Sequence, residues 1–338
     1  MNSPIIDKDV PFDAPGKHVG MLRLPHSVHR SAYGWLPIPA ASIRNGEGPT
    51  VIVMAGNHGD EYEGQVIVGN LIRMLDPGMV SGQIILLPMA NFPAAQAGMR
   101  TSPLDDGNLN RSFPGDPMGS PTAVLAHYIE TVLFPRAQVV VDLHSGGSSL
   151  LYEGGNMLAL EPRNDEEANR ITGLLGAMGL PRALLHGPNP RTISSAARRQ
   201  GAISIVTEIA GAGMITPRAL KEAQHGVLHL LGHLGVLHGD LVPASAPNKP
   251  RFMRIDGERH YVYARCDGLF EPLVELGERV EAGQPAARMH FPENPLREPE
   301  LIRFDGAGVV VCKRMPALSR YGDCLYQLAE EVSPPGHS

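Results

Sequence analysis

Four apolar runs constrain this chain more than any other feature. They are "TVIVMAG" (50–56), "GQIILLPMAN" (82–91), "AQVVVDLHSGG" (137–147) and "GAISIVTEIAG" (201–211). Each is apolar at successive positions rather than at alternate ones, the pattern of a strand covered on both faces. Between them lie segments of helical period. "EYEGQVIVGNLIRMLD" (61–76) repeats apolar residues at Val66, Ile67, Leu71 and Leu75. "SPTAVLAHYIETVL" (120–133) opens with Ser120 as a candidate N-cap and Pro121 in the first turn. "NDEEANRITGLLGAMG" (164–179) places acids in its first turn, and "TPRALKEAQHGVLHLLGHLGVL" (216–237) reads as a long helix. Strands alternating with helices predict an α/β sandwich whose parallel or mixed sheet is flanked by helices.

After "VPASAPNKP" (242–250), which reads as a Pro/Ala/Ser linker, the pattern changes to short strands with glycine turns and no helix. The division expected is a catalytic domain over 1–245, with the first 20 or so residues as an arm, and an all-β domain over 250–335.

The 338 residues are 43% hydrophobic and 19% charged, with a net charge of −6 and no Lys/Arg block. A nucleic-acid or acidic-membrane partner is therefore not expected. No run of apolar residues is long enough to span a bilayer. "MNSPIIDKDVPFDAPG" lacks a charged stretch followed by an apolar core, so no secretory signal is expected. Three scattered cysteines, Cys266, Cys312 and Cys324, give neither a disulfide framework nor CxxC spacing, which suits a cytoplasmic setting. Self-association as a dimer or higher oligomer is left open.

In α/β sheets ligands bind beyond the carboxyl ends of the strands. The polar residues at those ends are His58 and Glu61, Asn91, Asp142 and His144, and Glu208. His58 and Glu61, three residues apart on one turn, face the same way, and His144 can join them from a neighbouring strand. Two histidines and a carboxylate with a fourth position open is a common catalytic zinc set. A solvated loop and a hydrogen-bonded core histidine fit the same spacing. Gly56 and Gly59 let the backbone turn tightly there. Asp142 can orient the His144 ring or cap a turn, and Asp60 and Glu63 are read as facing water or bonding the loop. Glu208, among Ile205, Val206 and Ile209, has the desolvated setting of a general base, and equally that of a buried ion-pair partner. In "MRTSPLDDGNLNRSFPG" (99–115), Arg111 can clamp a carboxylate, Asn110 adds a donor, and Arg100 can stabilise an oxyanion. A surface position, or pairing with Asp105 or Asp106, is the competing reading for either arginine.

Taken together, "GNHGDEYEG", "DDGNLNRSFPG", "DLHSGG" and "TEIAG" resemble, in order and spacing, the succinylglutamate desuccinylase/aspartoacylase family of zinc carboxypeptidase-like hydrolases. The resemblance spans roughly residues 20–330. It implies one zinc ion per chain on His58, Glu61 and His144, with Glu208 as base and then as acid to the leaving amine. It implies that Arg100 polarises the scissile carbonyl and that Asn110 and Arg111 hold a substrate carboxylate. The implied reaction is deacylation of a small N-acyl amino acid.

The stretch from Leu22 to Gly64 looks most like the N-acetyl-diaminobutyrate deacetylases of that family. "TEIAGAG" departs from the glycine-richer segment expected there, which bears on the substrate pocket, where Arg191, Arg198 and Arg199 are further candidates. "GLFEPLVELGERVEAGQPAARM" looks like half of a biotinyl/lipoyl-type barrel sandwich, but Lys313 in "VVVCKRMP" lacks the setting of a carrier lysine. In the family this region covers the catalytic domain and can narrow its entrance. The rival functions are a non-catalytic metabolite-binding protein on the same fold and a zinc carboxypeptidase acting on short peptides.

Overall fold

The structure, a computed structural model, describes residues 5–158, 162–245 and 247–335. The chain begins with strands β1 (Asp7–Lys8), β2 (Gly16–Pro25), β3 (Trp35–Asn45) and β4 (Thr50–Ala55). Then come α1 (Tyr62–Met74), β5 (Gly82–Leu87), the short helix α2 (Phe92–Ala97), α3 (Pro121–Tyr128) and β6 (Val139–His144). Strands β7 (Leu150–Tyr152) and β8 (Gly155–Leu158) precede α4 (Asp165–Met178) and β9 (Arg182–Leu185). Helix α5 (Ile193–Arg199), β10 (Ile203–Glu208), α6 (Pro217–His233) and β11 (Arg251–Arg254) follow.

Strands β5, β4, β6 and β10 lie side by side and parallel. These are the four apolar runs, in the central positions that their continuous hydrophobicity suits. Successive residues serve opposite faces. Val51, Val53, Val139, Val141 and Ile205 pack on α1, α4 and α6. Ile52, Met54, Ile85, Leu87 and Val140 pack on Phe12, Phe113, Ile129 and Phe134. The sheet is mixed beyond this centre: β3 runs antiparallel to β5, and β8 antiparallel to β10. Ile6, Val10 and Phe12 near the N-terminus are buried, and β1 pairs with β2.

Helix α1 buries Gly64, Ile67, Val68 and Leu71, while Val66 is only half-buried. It stops before Asp76, whose backbone is extended because Pro77 follows it. The expected helix over 120–133 is α-helical only to Tyr128 and widens to a π-turn over Ile129–Leu133. Pro135, which offers no N–H and crowds the preceding turn, accounts for the change. Ser120 occupies the N-cap position without a capping hydrogen bond. Asp105 does that work instead, accepting from the Thr122 backbone N–H and hydroxyl, both at 2.8 Å.

Beyond residue 250 the described chain is β-rich, with one short 3-10 turn at Glu258–His260. Strand β11 extends the main sheet beside β9 and pairs with Cys324–Glu331. Four further strands form a separate antiparallel sheet, ordered Glu300–Arg303, Pro285–His290, Gly268–Pro272, Leu318–Ser319. Tyr326, Phe270 and Phe304 centre the core between the sheets. No closed barrel forms among the described residues. Lys313 is 11% exposed and paired with Glu275, so it is not presented as a carrier lysine would be. No helix among the described residues is long and apolar enough to cross a membrane.

Candidate metal centre

The parallel register brings the site together. In the β6–β10 pair His144 and Glu208 are direct partners at the carboxyl ends of their strands. The neighbouring β4 ends at Ala55, and the loop that follows carries His58 and Glu61 to the same edge. That loop is held tightly. Gly56 has φ +68°, and Gly59 lies against the backbone of α2, where an added Cβ would come within 1.9 Å of the Ala94 carbonyl oxygen. Gly64 sits against Leu143 and Ala55, letting α1 approach the sheet. Gly59→Ala should therefore cost about 2 kcal/mol or more of stability, since backbone must move rather than a flexible side chain. Denaturant melts of the two proteins check this.

His58, Glu61 and His144 are each 3% exposed, and one donor atom from each lies within 4.8 Å of the others. Glu61 bridges the two rings, with Oε1 at 2.6 Å from His58 Nδ1 and Oε2 at 2.8 Å from His144 Nδ1. The outer ring nitrogens have acceptors of their own. Nε2 of His144 is 2.6 Å from Asp142 Oδ2, and Nε2 of His58 is 3.2 Å from Asn108 Oδ1. Protons placed on those outer nitrogens leave both Nδ1 lone pairs, with the Glu61 oxygens, turned towards one point. Such a buried set of lone pairs is matched by a cation. Two imidazoles and a carboxylate, each ring oriented by a separate acceptor, fit zinc.

The electrostatics reflect the same packing. Burial pushes the Glu61 carboxyl up, but the two imidazoles outweigh it and hold it well below the usual carboxylate range. Burial is the largest influence on His58 and lowers it, favouring the neutral ring that a metal needs. His144, between Asp142 and Glu61, is raised against the effect of burial. Asp142 thus orients the ring, and Asn57 Nδ2 donates to the same Asp142 oxygen at 3.2 Å.

Asp60 and Glu63 are buried rather than turned to water. Asp60 Oδ2 accepts from the Ser148 N–H and hydroxyl, both at 2.8 Å, and Glu63 Oε1 accepts from the Gly211 N–H at 3.2 Å.

A cavity of about 640 Å³ opens over this cluster. Glu208 lies in its lining, half-buried, with Oε2 enclosed and without a hydrogen-bond partner among the described residues. Burial raises its pKa well above that of an ordinary glutamate, and the charge of Glu61 adds to the rise, against opposing pulls from His144 and Arg100. It is not a partner in a buried ion pair of the described residues.

Arg100, half exposed, places Nη1 at 3.4 Å from His58 Nδ1 and 3.6 Å from Glu61 Oε1. Asn110 accepts the Ile193 N–H at 2.9 Å through Oδ1, which leaves its amide nitrogen, 3.5 Å from His144 Nε2, as the available donor. Arg111 also lines the cavity, donating to the Asn110 carbonyl at 2.7 Å. Neither arginine pairs with Asp105 or Asp106 among the described residues. Arg198 and Arg199 engage Glu167 and Glu130, and Arg191 lies outside the cavity lining.

The sequence reading did not single out Asn57, Asn108, Tyr152, His186, Tyr261 or Gln327, the last four of which line the cavity. Tyr152 donates to Gln327 Oε1 at 2.9 Å, so the C-terminal strands form part of the cavity wall. His186 directly follows β9, which runs antiparallel to β6 and β10, so it reaches the cavity from outside the carboxyl edge that carries His144 and Glu208.

Comparison with known proteins agrees with this geometry. A model of the succinylglutamate desuccinylase/aspartoacylase catalytic domain matches residues 47–234. The chain is 38% identical to the N-alpha-acetyl-L-2,4-diaminobutyric acid deacetylase of Halomonas elongata, over 98% of this chain and 96% of that protein. A crystal structure of a succinylglutamate desuccinylase/aspartoacylase from Rhodobacter sphaeroides superposes with a TM-score of 0.90 at 33% identity, covering 97% of this chain and 100% of that one. The product-bound ectoine utilization protein EutE (DoeB) from Ruegeria pomeroyi gives the same TM-score, identity and coverage. With the matching residues spanning more than half of its length, the chain belongs to the succinylglutamate desuccinylase/aspartoacylase family.

Proposed function

We propose that the protein is a zinc-dependent amidohydrolase that removes the acyl group from a small N-acyl amino acid. The reading rests on one observation above all: a buried His-Glu-His donor set shares a cavity with Glu208, held in register beside His144. The 38% identity to a diaminobutyrate deacetylase supports N-acetyl-2,4-diaminobutyrate, or another N-acetyl or N-succinyl amino acid, as the substrate.

Zinc bound by His58, Glu61 and His144 supplies a Lewis acid and lowers the pKa of its water. Glu208, poised by burial, takes a proton from the attacking water and returns it to the amide nitrogen as the C–N bond breaks. The products are a carboxylate and a free amine. Arg100, next to the donor set, donates to the oxygen of the scissile carbonyl as negative charge builds on it. Asn110 Nδ2 and the Arg111 guanidinium hold the substrate carboxylate and so orient the amide.

The cavity volume suits a small ligand. Among the described residues its carboxylates are Glu61 and Glu208, both already engaged in this scheme, and its arginines are Arg100 and Arg111. His186 is lowered, chiefly by burial, and so stays neutral. One carboxylate on the substrate is therefore matched and a second is not. The free amine of N-acetyl-2,4-diaminobutyrate likewise has no carboxylate of its own there, so the preference for that compound over N-acetyl-aspartate and N-succinyl-glutamate rests on the 38% identity to the diaminobutyrate deacetylase.

The test is amine release by the zinc-loaded protein from these three compounds, N-formyl analogues and a short peptide panel. We expect kcat/KM for the diaminobutyrate compound to exceed that for either dicarboxylate by about 10-fold or more, the scale on which a pocket discriminates between side chains differing by one group. Faster cleavage of peptides than of any N-acyl amino acid would overturn the proposal.

A further inference from the structure

Two buried acids flanking Glu61 have no part in the chemistry above. Asp60 is 5% exposed and Glu63 is 1% exposed, and both point away from the metal ligands into the neighbouring loops. One of these loops follows His144 and the other follows Glu208. They are laced together: Gly146 N–H donates to Ala210 O at 3.1 Å, Ala212 N–H to Leu150 O at 2.8 Å, and Gly213 N–H to Gly147 O at 2.8 Å. Gly211 lies so close to its neighbour that an added Cβ would fall 2.2 Å from the Leu150 carbonyl oxygen. The laced pair is tied at both sides, by Asp60 in the loop before α1 to Ser148 and by Glu63 in the first turn of α1 to Gly211. Gly211 is three residues beyond the base. Without Glu63 its buried N–H would lose its acceptor, at a cost that favours movement of the segment.

We propose that Glu63 is a positioning residue for Glu208. It anchors the segment after the base to the helix that Glu61 immediately precedes, and so sets the separation between the base and the metal ligands. The inference rests on Glu208 being the base, as proposed above. The acceptor oxygen, rather than the charge, is what the role requires, so glutamine should serve and methionine, of similar volume, should not.

The test uses the zinc-loaded full chain with Glu63→Met and Glu63→Gln. Glu63→Met should raise amide hydrogen exchange across residues 209–214 and lower kcat by about 10–100-fold, the effect of a small misplacement of a reacting group. KM and zinc content should stay near the wild-type values, and the acidic limb of kcat/KM should shift. Glu63→Gln should restore both exchange protection and kcat. Unchanged exchange or unchanged kcat in Glu63→Met overturns the proposal. Equal impairment of the two variants also overturns it, as does a Glu63→Met protein that fails to fold beside a normal Glu63→Gln, since each assigns Glu63 to the fold alone. A wild-type protein that releases no amine from any N-acyl amino acid would sink the deacylase reading instead. The exchange measurements would then still decide whether Glu63 anchors the segment.

Discussion

Glu208→Gln loses turnover while keeping one zinc ion per chain. General acid–base catalysis by one group is worth about 10²–10⁴-fold. In the proposed scheme the same carboxylate serves both proton transfers, so the loss should be about 10³-fold or more. The substitution keeps the shape of the side chain and its place beside His144, and it touches no metal ligand. It also removes a charge from a setting that disfavours one, since Oε2 is enclosed without a partner and burial raises the pKa. Thermal stability should hold or rise, as when a destabilised active-site group is relieved. The sign of the pH dependence follows. A base works only when ionised, so wild-type kcat/KM falls along an acidic limb as pH drops through the Glu208 pKa, which burial pushes upwards. A bound dication draws the limb downwards without reversing its direction. Initial rates of amine release from pH 4 upwards, with metal analysis on the same samples, check both parts. Full activity in Glu208→Gln, or zinc lost with it, would remove Glu208 from its assigned role.

Much of this site is legible from the sequence because of how parallel sheets are built. Strands buried on both faces admit polar residues only at their ends, so a histidine or glutamate closing such a run marks the carboxyl edge of the sheet. His144 and Glu208 close two runs that turn out to be register partners. His58 and Glu61 follow a third. The ring partners are different. Asn108 lies in a loop with Asn110, and nothing in a loop sequence says which asparagine meets His58 and which meets His144.

Strand β3 is not legible in the sequence, because Pro37 and Pro39 argue against a strand. They are tolerated because β5 pairs only with Ala41–Asn45, so the prolines fall where β3 has β2 as its one neighbour. Four-residue β9 is too short to show a pattern, and His186 was hidden with it. The contribution of Tyr261 and Gln327 to the cavity depends on β11 and Cys324–Glu331 joining the main sheet, a long-range pairing that composition does not announce.

Loss of the His144 imidazole should remove the metal altogether. Outer partners of metal ligands are typically worth about 10–100-fold in affinity, so Asp142→Asn should weaken zinc binding within that range. His144→Ala should exceed it, because it deletes a donor outright from a set of three. It also leaves Asp142 and Glu61, both buried, facing each other across the space the ring filled, with no imidazole between them. Two buried carboxylates without a shared cation repel, so the variant should be less stable than the metal-stripped wild type. Chelation separates the two effects. A ligand that binds only the folded state stabilises it by mass action, so a chelator should lower the melting temperature of the wild type and leave that of His144→Ala unchanged. Zinc content per chain and melting temperature, each with and without chelator, are the measurements. If His144→Ala keeps one zinc per chain, or if chelation leaves the wild-type melting temperature where it was, then His58, Glu61 and His144 are a hydrogen-bonded cluster and not a metal centre.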